Sequence, residues 1–276
     1  MKLVSFLVLF LSLTTFFTTS HAVEFVVDPK ITNTGPIIKL ATSDLSKEKL
    51  VAVKGGMIDW DRPGIRIEQL RKVAEMVGVR FAYSRLPWLR ALKVTQDGKS
   101  DAVFVTGYTV ERTEWGAYPF RDNVINRDKA LSKVTYWLYI TRDGPVIWDG
   151  EKLSGSSIVI GGGVGDYMSK KLKDEGYNVI EVGTYEQLAA MLEKGRIDAV
   201  IGFRTLIDQF IAERPSAYPS IVRHPIPLQV TDGYLVFSKK SYSVKHEIIE
   251  KIWSAIGQLW EDGTMNRLFE KYEEKN

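Results

Sequence analysis

The sequence predicts an α/β protein of two similarly built lobes. One observation is an internal echo. Gln96–Phe104 reads Q-D-G-K-S-D-A-V-F, and Leu192–Phe203 reads L-E-K-G-R-I-D-A-V-I-G-F. In each, a helix-like segment stops at a glycine, Gly98 or Gly195, which suits a left-handed cap. A second observation is the apolar run that follows each Asp-Ala-Val. Such a run suits a strand buried on both faces, as in a parallel sheet. A third is the regular alternation of amphipathic helical and short apolar segments along the chain.

Composition bounds the function. The chain has 276 residues, 45% hydrophobic and 26% charged, with 37 basic and 34 acidic residues interspersed for a net charge of +3. No basic stripe favours nucleic acid. Cysteine is absent, so disulfides, thiolate chemistry and a lipid-anchored N-terminus are excluded. Residues 1–22 read as a secretory signal peptide: Lys2, an apolar core over Leu3 to Phe17, and Ser20-His21-Ala22 as cleavage site. The expected location is the periplasm. His224 and His246 stand in unrelated contexts, so no metal centre and no Ser-His-Asp triad is expected, and no cofactor.

In chain order, Glu24–Lys39 resists assignment, and either Ile37–Ala41 or Leu50–Val53 serves as the first strand. Gly64–Val77 is an amphipathic helix with Ile67, Leu70, Ala74 and Val77 on one face, stopped by Gly78. Val79–Tyr83 is a strand. Pro87 sits in the first turn of the next helix, which runs to Gly98. After the first Asp-Ala-Val strand comes Thr-Val-Glu-Arg, Thr109–Arg112. Ligands of open α/β sheets sit beyond the carboxyl ends of strands, where an arginine can hold a carboxylate by two parallel hydrogen bonds. A surface pairing of Arg112 with Glu111 or Glu114 is the alternative.

Lys129–Arg142 alternates as a long strand crossing into the second lobe. Ser157–Ile160 is a strand, followed by a glycine-rich turn, Gly161–Tyr167, and a helix through Lys173. The turn is neither a P-loop nor a dinucleotide fingerprint. Val179–Val182 is a strand. Thr184 and Gln187 form a capping box for the helix Tyr185–Lys194. Ala199–Ile201, Ile221–Val222 and Gln229–Thr231 are short strands, Gly233–Ser238 is the return crossing, and helices over Lys245–Leu259 and Asn266–Glu273 end the chain. Trp253, Ile256 and Trp260 read as core. The lobes are expected at 23–140 plus 231–276 and at 141–230.

The order P-G-I-x-I-E-Q-L-x-x-V-A-E-x-x-G-V-x-F (Pro63–Phe81), L-P-W-x-R-A-L (Leu86–Leu92) and D-A-V…T-x-E-R…Y-P-F (Asp101–Phe120) resembles the periplasmic solute-binding proteins that include the polar amino acid receptors of ABC transporters. G-G-G-V-G-D-Y, K-G-R-I-D-A-V, D-G-Y-L-V-F-S and E-D-G-T-M-N-R-L-F-E-K-Y follow in the order of that family. The resemblance implies the type II periplasmic binding protein fold, two crossings between lobes, a monomer without enzymatic activity, and an ABC permease as partner. It implies a ligand clamped at Arg112 with help from Thr106 and Gly107, and covered by Trp60, Trp88 and Tyr108. Gly163, Gly165, Asp166, Tyr167, Phe203 and Arg204 close from the second lobe. The place where the amino acid receptors carry an ammonium-binding Asp falls at Phe203 or Arg204, so the expected ligand is a carboxylate other than an ordinary α-amino acid. Two alternatives stand beside this: a dehydratase like cyclohexadienyl dehydratase, with Asp59, Glu114 or Asp166 as its acid, and a periplasmic ligand sensor.

Overall fold

The computed structural model describes residues 23–45, 50–155 and 157–273. The expected signal peptide, residues 1–22, lies outside them. The first lobe opens with β1 (Val26–Val27), β2 (Ile37–Ser43) and the small hairpin β3 (Val53–Lys54) and β4 (Met57–Ile58). Then come α1 (Ile65–Val77), β5 (Arg80–Leu86), α2 (Trp88–Gln96) and β6 (Ala102–Thr106). A 3₁₀ turn over Glu111–Glu114 leads into the short strands β7 (Gly116–Ala117), β8 (Phe120–Arg121) and β9 (Val124–Ile125). Of the two places considered for the first long strand, the structure uses the earlier; Leu50–Val53 leads into the hairpin instead. Gly78 has φ 74 and ends α1 in the left-handed conformation, as expected. Pro87 stands one residue before α2, as its N-cap.

β10 (Ser132–Thr141) carries the chain into the second lobe. There β11 (Ile147–Trp148) and β12 (Leu153–Ser154) precede the αβ layers: β13 (Val159–Gly163), α3 (Tyr167–Asp174), β14 (Asn178–Val182), α4 (Tyr185–Glu193), β15 (Ala199–Gly202), α5 (Arg204–Glu213) and β16 (Ile221–Arg223). β17 (Gln229–Ser238) returns, and α6 (Lys239–Glu261) and α7 (Thr264–Glu273) pack on the first lobe.

The two crossings are adjacent antiparallel strands. Ser132–Tyr136 of β10 pairs with Gln229–Gly233 of β17. Beyond that shared segment each strand joins a different lobe: Trp137–Ile140 pairs with β15, and Tyr234–Phe237 pairs with β6. Each lobe has its own apolar cores. Phe81, Phe104, Phe237 and Trp253 lie in one, and Leu138, Ile160, Met168 and Ile201 in another.

The echo in the sequence is a repeated joint. Asp101 N–H donates to Lys39 O at 2.9 Å, and its Oδ2 accepts from Lys39 N–H at 2.8 Å. Asp198 N–H donates to Val159 O at 2.8 Å, and its Oδ2 accepts from Val159 N–H at 2.7 Å. Each aspartate therefore locks its strand to the neighbouring parallel one, β6 to β2 and β15 to β13.

Three expectations are corrected, and one helix lies outside them. Gly161, Gly162 and Gly163 belong to β13 rather than to a turn. A side chain at Gly162 would collide with Ser169 of α3, so glycine there admits the helix close to the strand. Gln229–Thr231 and Gly233–Ser238 are one strand, because Gly233 makes room for Val105 and Val134 rather than turning the chain. α5 was not anticipated, although Ile207, Phe210 and Ile211 have helical spacing; its N-cap, Phe203, offers no capping side chain. α6 begins six residues before the expected Lys245, which is itself the one non-helical residue inside it, and Ser238 caps its start.

Candidate functional site

The carboxyl ends of β2, β6, β13, β14 and β15 converge on a cavity of about 470 Å³ between the lobes. That is within the range of small-molecule sites. From the first lobe come Thr42, Arg66, Trp88, Leu89, Phe104 and Thr106; from the second, Asp166, Tyr167, Tyr185, Leu188, Phe203 and Leu206. Val134, Tyr136 and Thr231 of the crossing strands form its back. The walls are mostly apolar and aromatic.

Of the residues expected at the site, Trp88, Thr106, Gly107, Gly163, Asp166, Tyr167 and Phe203 line this cavity. Trp60, Tyr108, Arg112, Gly165 and Arg204 are not among the lining residues. Trp60 packs on Tyr83 with ring centres 6.0 Å apart, against the first-lobe core. Tyr108 stands edge-on to Tyr118 at 5.3 Å. Arg204 opens α5 and is exposed.

Arg112 is buried just behind the cavity wall, at 8% exposure. Its Nη1 donates to Gly107 O at 3.2 Å and its Nη2 to Gly165 O, across the cleft, at 3.0 Å. Trp88 Nε1 donates to the same Gly165 oxygen at 3.1 Å. Gly165 N–H in turn donates to Glu181 Oε1 at 3.0 Å. Gly165 has φ 69, and a β-carbon there would stand 2.5 Å from Leu89 Cδ2. At Gly107 a β-carbon would stand 2.9 Å from the Tyr167 ring. The lobes thus touch backbone to side chain along Gly107, Arg112, Gly165 and Tyr167. Lys170 adds an ion pair to Glu111 at 3.3 Å, also across the cleft.

Among the described residues, two charged groups are enclosed at the cavity. Asp166 caps α3, its Oδ1 accepting from Met168 N–H at 3.1 Å and from Tyr136 O–H at 2.8 Å. Burial pushes its carboxyl above the ordinary aspartate value, against the lowering effect of those hydrogen bonds and of Arg112. The other is Arg66, in the first turn of α1. Its Nε is buried and has no hydrogen-bond partner among the described residues. Burial lowers its guanidinium pKa to about 10, leaving it charged at neutral pH. Sequence reasoning passed over Arg66, which occupies the variable position of P-G-I-x-I-E-Q-L. One signal was available: a cation in the first turn opposes the helix dipole.

Asp59 and Glu114 do not line the cavity. Asp59 Oδ1 instead accepts from Asp61 N–H at 3.1 Å, in a local turn. Among the described residues no group of three His, Cys, Asp or Glu side chains could hold a metal ion, and no helix is long and apolar enough to cross a membrane.

No protein-family model matches the chain. Over 217 residues it is 22% identical to the Probable amino-acid-binding protein YxeM of Bacillus subtilis (strain 168), covering 76% of this chain and 75% of that protein. Among solved structures it is similar to a histidine kinase sensor domain with similarity to periplasmic binding proteins, with TM-score 0.65, 13% identity, and 86% of this chain and 95% of that one covered. It is also similar to the arginine-, lysine-, histidine-binding protein ArtJ from Geobacillus stearothermophilus, with TM-score 0.63, 15% identity, and 87% and 96% covered. The fold is that of the two-lobed periplasmic binding proteins, and the resemblance to amino-acid-binding proteins recurs in the sequence relative.

Proposed function

We propose that this chain is a periplasmic solute-binding protein that encloses a small carboxylate between its lobes and delivers it, as a monomer, to an inner-membrane ABC permease. Residues 1–22 would direct its export. The observation that carries this reading is the cavity itself. It is walled by both lobes and closed over by hydrogen bonds from Arg112 and Trp88 to one carbonyl of the opposite lobe. Hinge closure around a ligand is the motion such an architecture performs.

The ligand proposed is a carboxylate other than an ordinary α-amino acid. Phe203 stands at the helix start after β15 where an ammonium acceptor is expected, and it presents an aromatic ring to the cavity. Native mass spectrometry of the purified mature protein, before and after unfolding and refolding, tests both statements. A small mass lost on unfolding supports capture and identifies the ligand. Sub-micromolar binding of an α-amino acid overturns the ligand class.

A dehydratase is the second reading. It draws on Asp166, the one of three acid candidates that lines the cavity, whose raised pKa favours the proton-carrying form. Conversion of a cyclic dienyl carboxylate by the purified protein would establish it; return of the bound molecule unchanged would exclude it.

A further inference from the structure

Among the described residues, the enclosed guanidinium of Arg66 has no counterion in the cavity it faces. No hydrogen bond or ion pair among the described residues uses its side chain, and its Nε is sealed from solvent without a partner. The rest of the residue keeps some accessible surface because it lines the cavity. A buried charge is costly unless it is paired.

The described neighbouring groups do not pair with it. Asp44, at the cavity mouth, is exposed. Asp166 already accepts from Tyr136 and Met168. Arg112, the arginine that spacing alone favours for anion binding, has both terminal nitrogens engaged by carbonyls of Gly107 and Gly165.

We infer that Arg66 takes the carboxylate of the ligand, while Arg112 holds the lobes together, and that the ligand's remaining body is aromatic or branched and apolar. This inference rests on the binding function proposed above. A guanidinium offers a carboxylate two parallel N–H donors, and Arg66 can supply them from its terminal nitrogens, which are not sealed as Nε is. The apolar body follows from the walls: Trp88, Phe104, Tyr136, Tyr185 and Phe203 surround the space, and they would gain contact with a ring or branched chain.

The test is calorimetric titration and thermal melting of the wild-type mature protein with phenylacetate, phenylpyruvate, L-phenylalanine, L-arginine and the uncharged 2-phenylethanol. Either phenylacetate or phenylpyruvate is expected to bind best. Arg66→Met should weaken that binding at least about tenfold, and Arg66→Lys should retain part of it. Without ligand, Arg66→Met should melt at or above the wild-type temperature, because it removes an unpaired buried charge; this separates lost binding from lost folding. Wild-type affinity in Arg66→Met would overturn the role of Arg66 while leaving the capture function standing. Preference for L-phenylalanine, L-arginine or 2-phenylethanol would overturn the ligand class. Binding of none of the five, together with no mass released on unfolding, would overturn the capture function itself.

Discussion

Arg112 and Gly165 meet across the cleft: Nη2 of the arginine donates to the glycine carbonyl at 3.0 Å, beside a second donor, Trp88 Nε1, at 3.1 Å. One carbonyl of the second lobe therefore holds two side chains of the first. A hydrogen bond to a charged donor contributes more than a neutral one, about 1.5–3 kcal/mol against about 1. Arg112→Ala is expected to shift the protein toward an open form about tenfold or more, and Trp88→Phe less, about fivefold. Small-angle scattering checks this as an increase in radius of gyration, larger for the arginine variant.

Closure also needs the absence of a side chain at residue 107. A β-carbon there would press on the Tyr167 ring at 2.9 Å. Gly107→Ala should wedge the lobes apart and weaken binding of whatever ligand native mass spectrometry identifies. Adding Tyr167→Ala should restore closure in scattering, because it removes the surface the new methyl strikes. A double-mutant cycle isolates this coupling from the separate effects.

The raised pKa of Asp166 sets a dependence on pH. A carboxyl whose folded pKa is raised binds more protons folded than unfolded between about pH 3.9 and its folded value. Its contribution to stability is fully present below that window and is lost as pH rises through it. Asp166→Asn keeps a side-chain oxygen to cap α3 and to accept from Tyr136 while removing the charge. The melting temperature of Asp166→Asn relative to wild type should therefore rise from pH 4 to pH 7. A flat difference would mean that the carboxyl ionises freely in the fold.

The paired joints at Asp101 and Asp198 predict unequal losses. Asp198→Ala breaks one side-chain bond to a strand N–H and should cost about 1–2 kcal/mol. Asp101 also accepts from Ser241 Oγ and Lys245 Nζ, both at 2.8 Å, tying α6 to the first lobe. Asp101→Ala should cost more, about 3 kcal/mol, since it strands a partly buried lysine as well. Urea unfolding of the two variants measures the difference.

The sequence by itself determined the layered α/β class, the two-lobed plan and the helix ends at Gly64 and Gly78, because these follow from local periodicity, cap chemistry and a repeated Asp-Ala-Val. It also carried the spacing that brings Thr106, Gly107, Asp166, Tyr167 and Phe203 to strand ends. Tertiary structure decided whether a glycine turns the chain or admits a neighbour: Gly162 and Gly233 lie inside strands because helix α3 and the valines of adjoining strands approach them. It also decided which arginine faces the cavity. Arg66 and Arg112 are both basic residues near element ends, and local spacing favours Arg112, the one that does not line the cavity. Only the packing of one lobe against the other engages the Arg112 guanidinium with carbonyls and leaves that of Arg66 enclosed without a partner among the described residues, because hydrogen-bond satisfaction across a cleft depends on residues far apart in the chain.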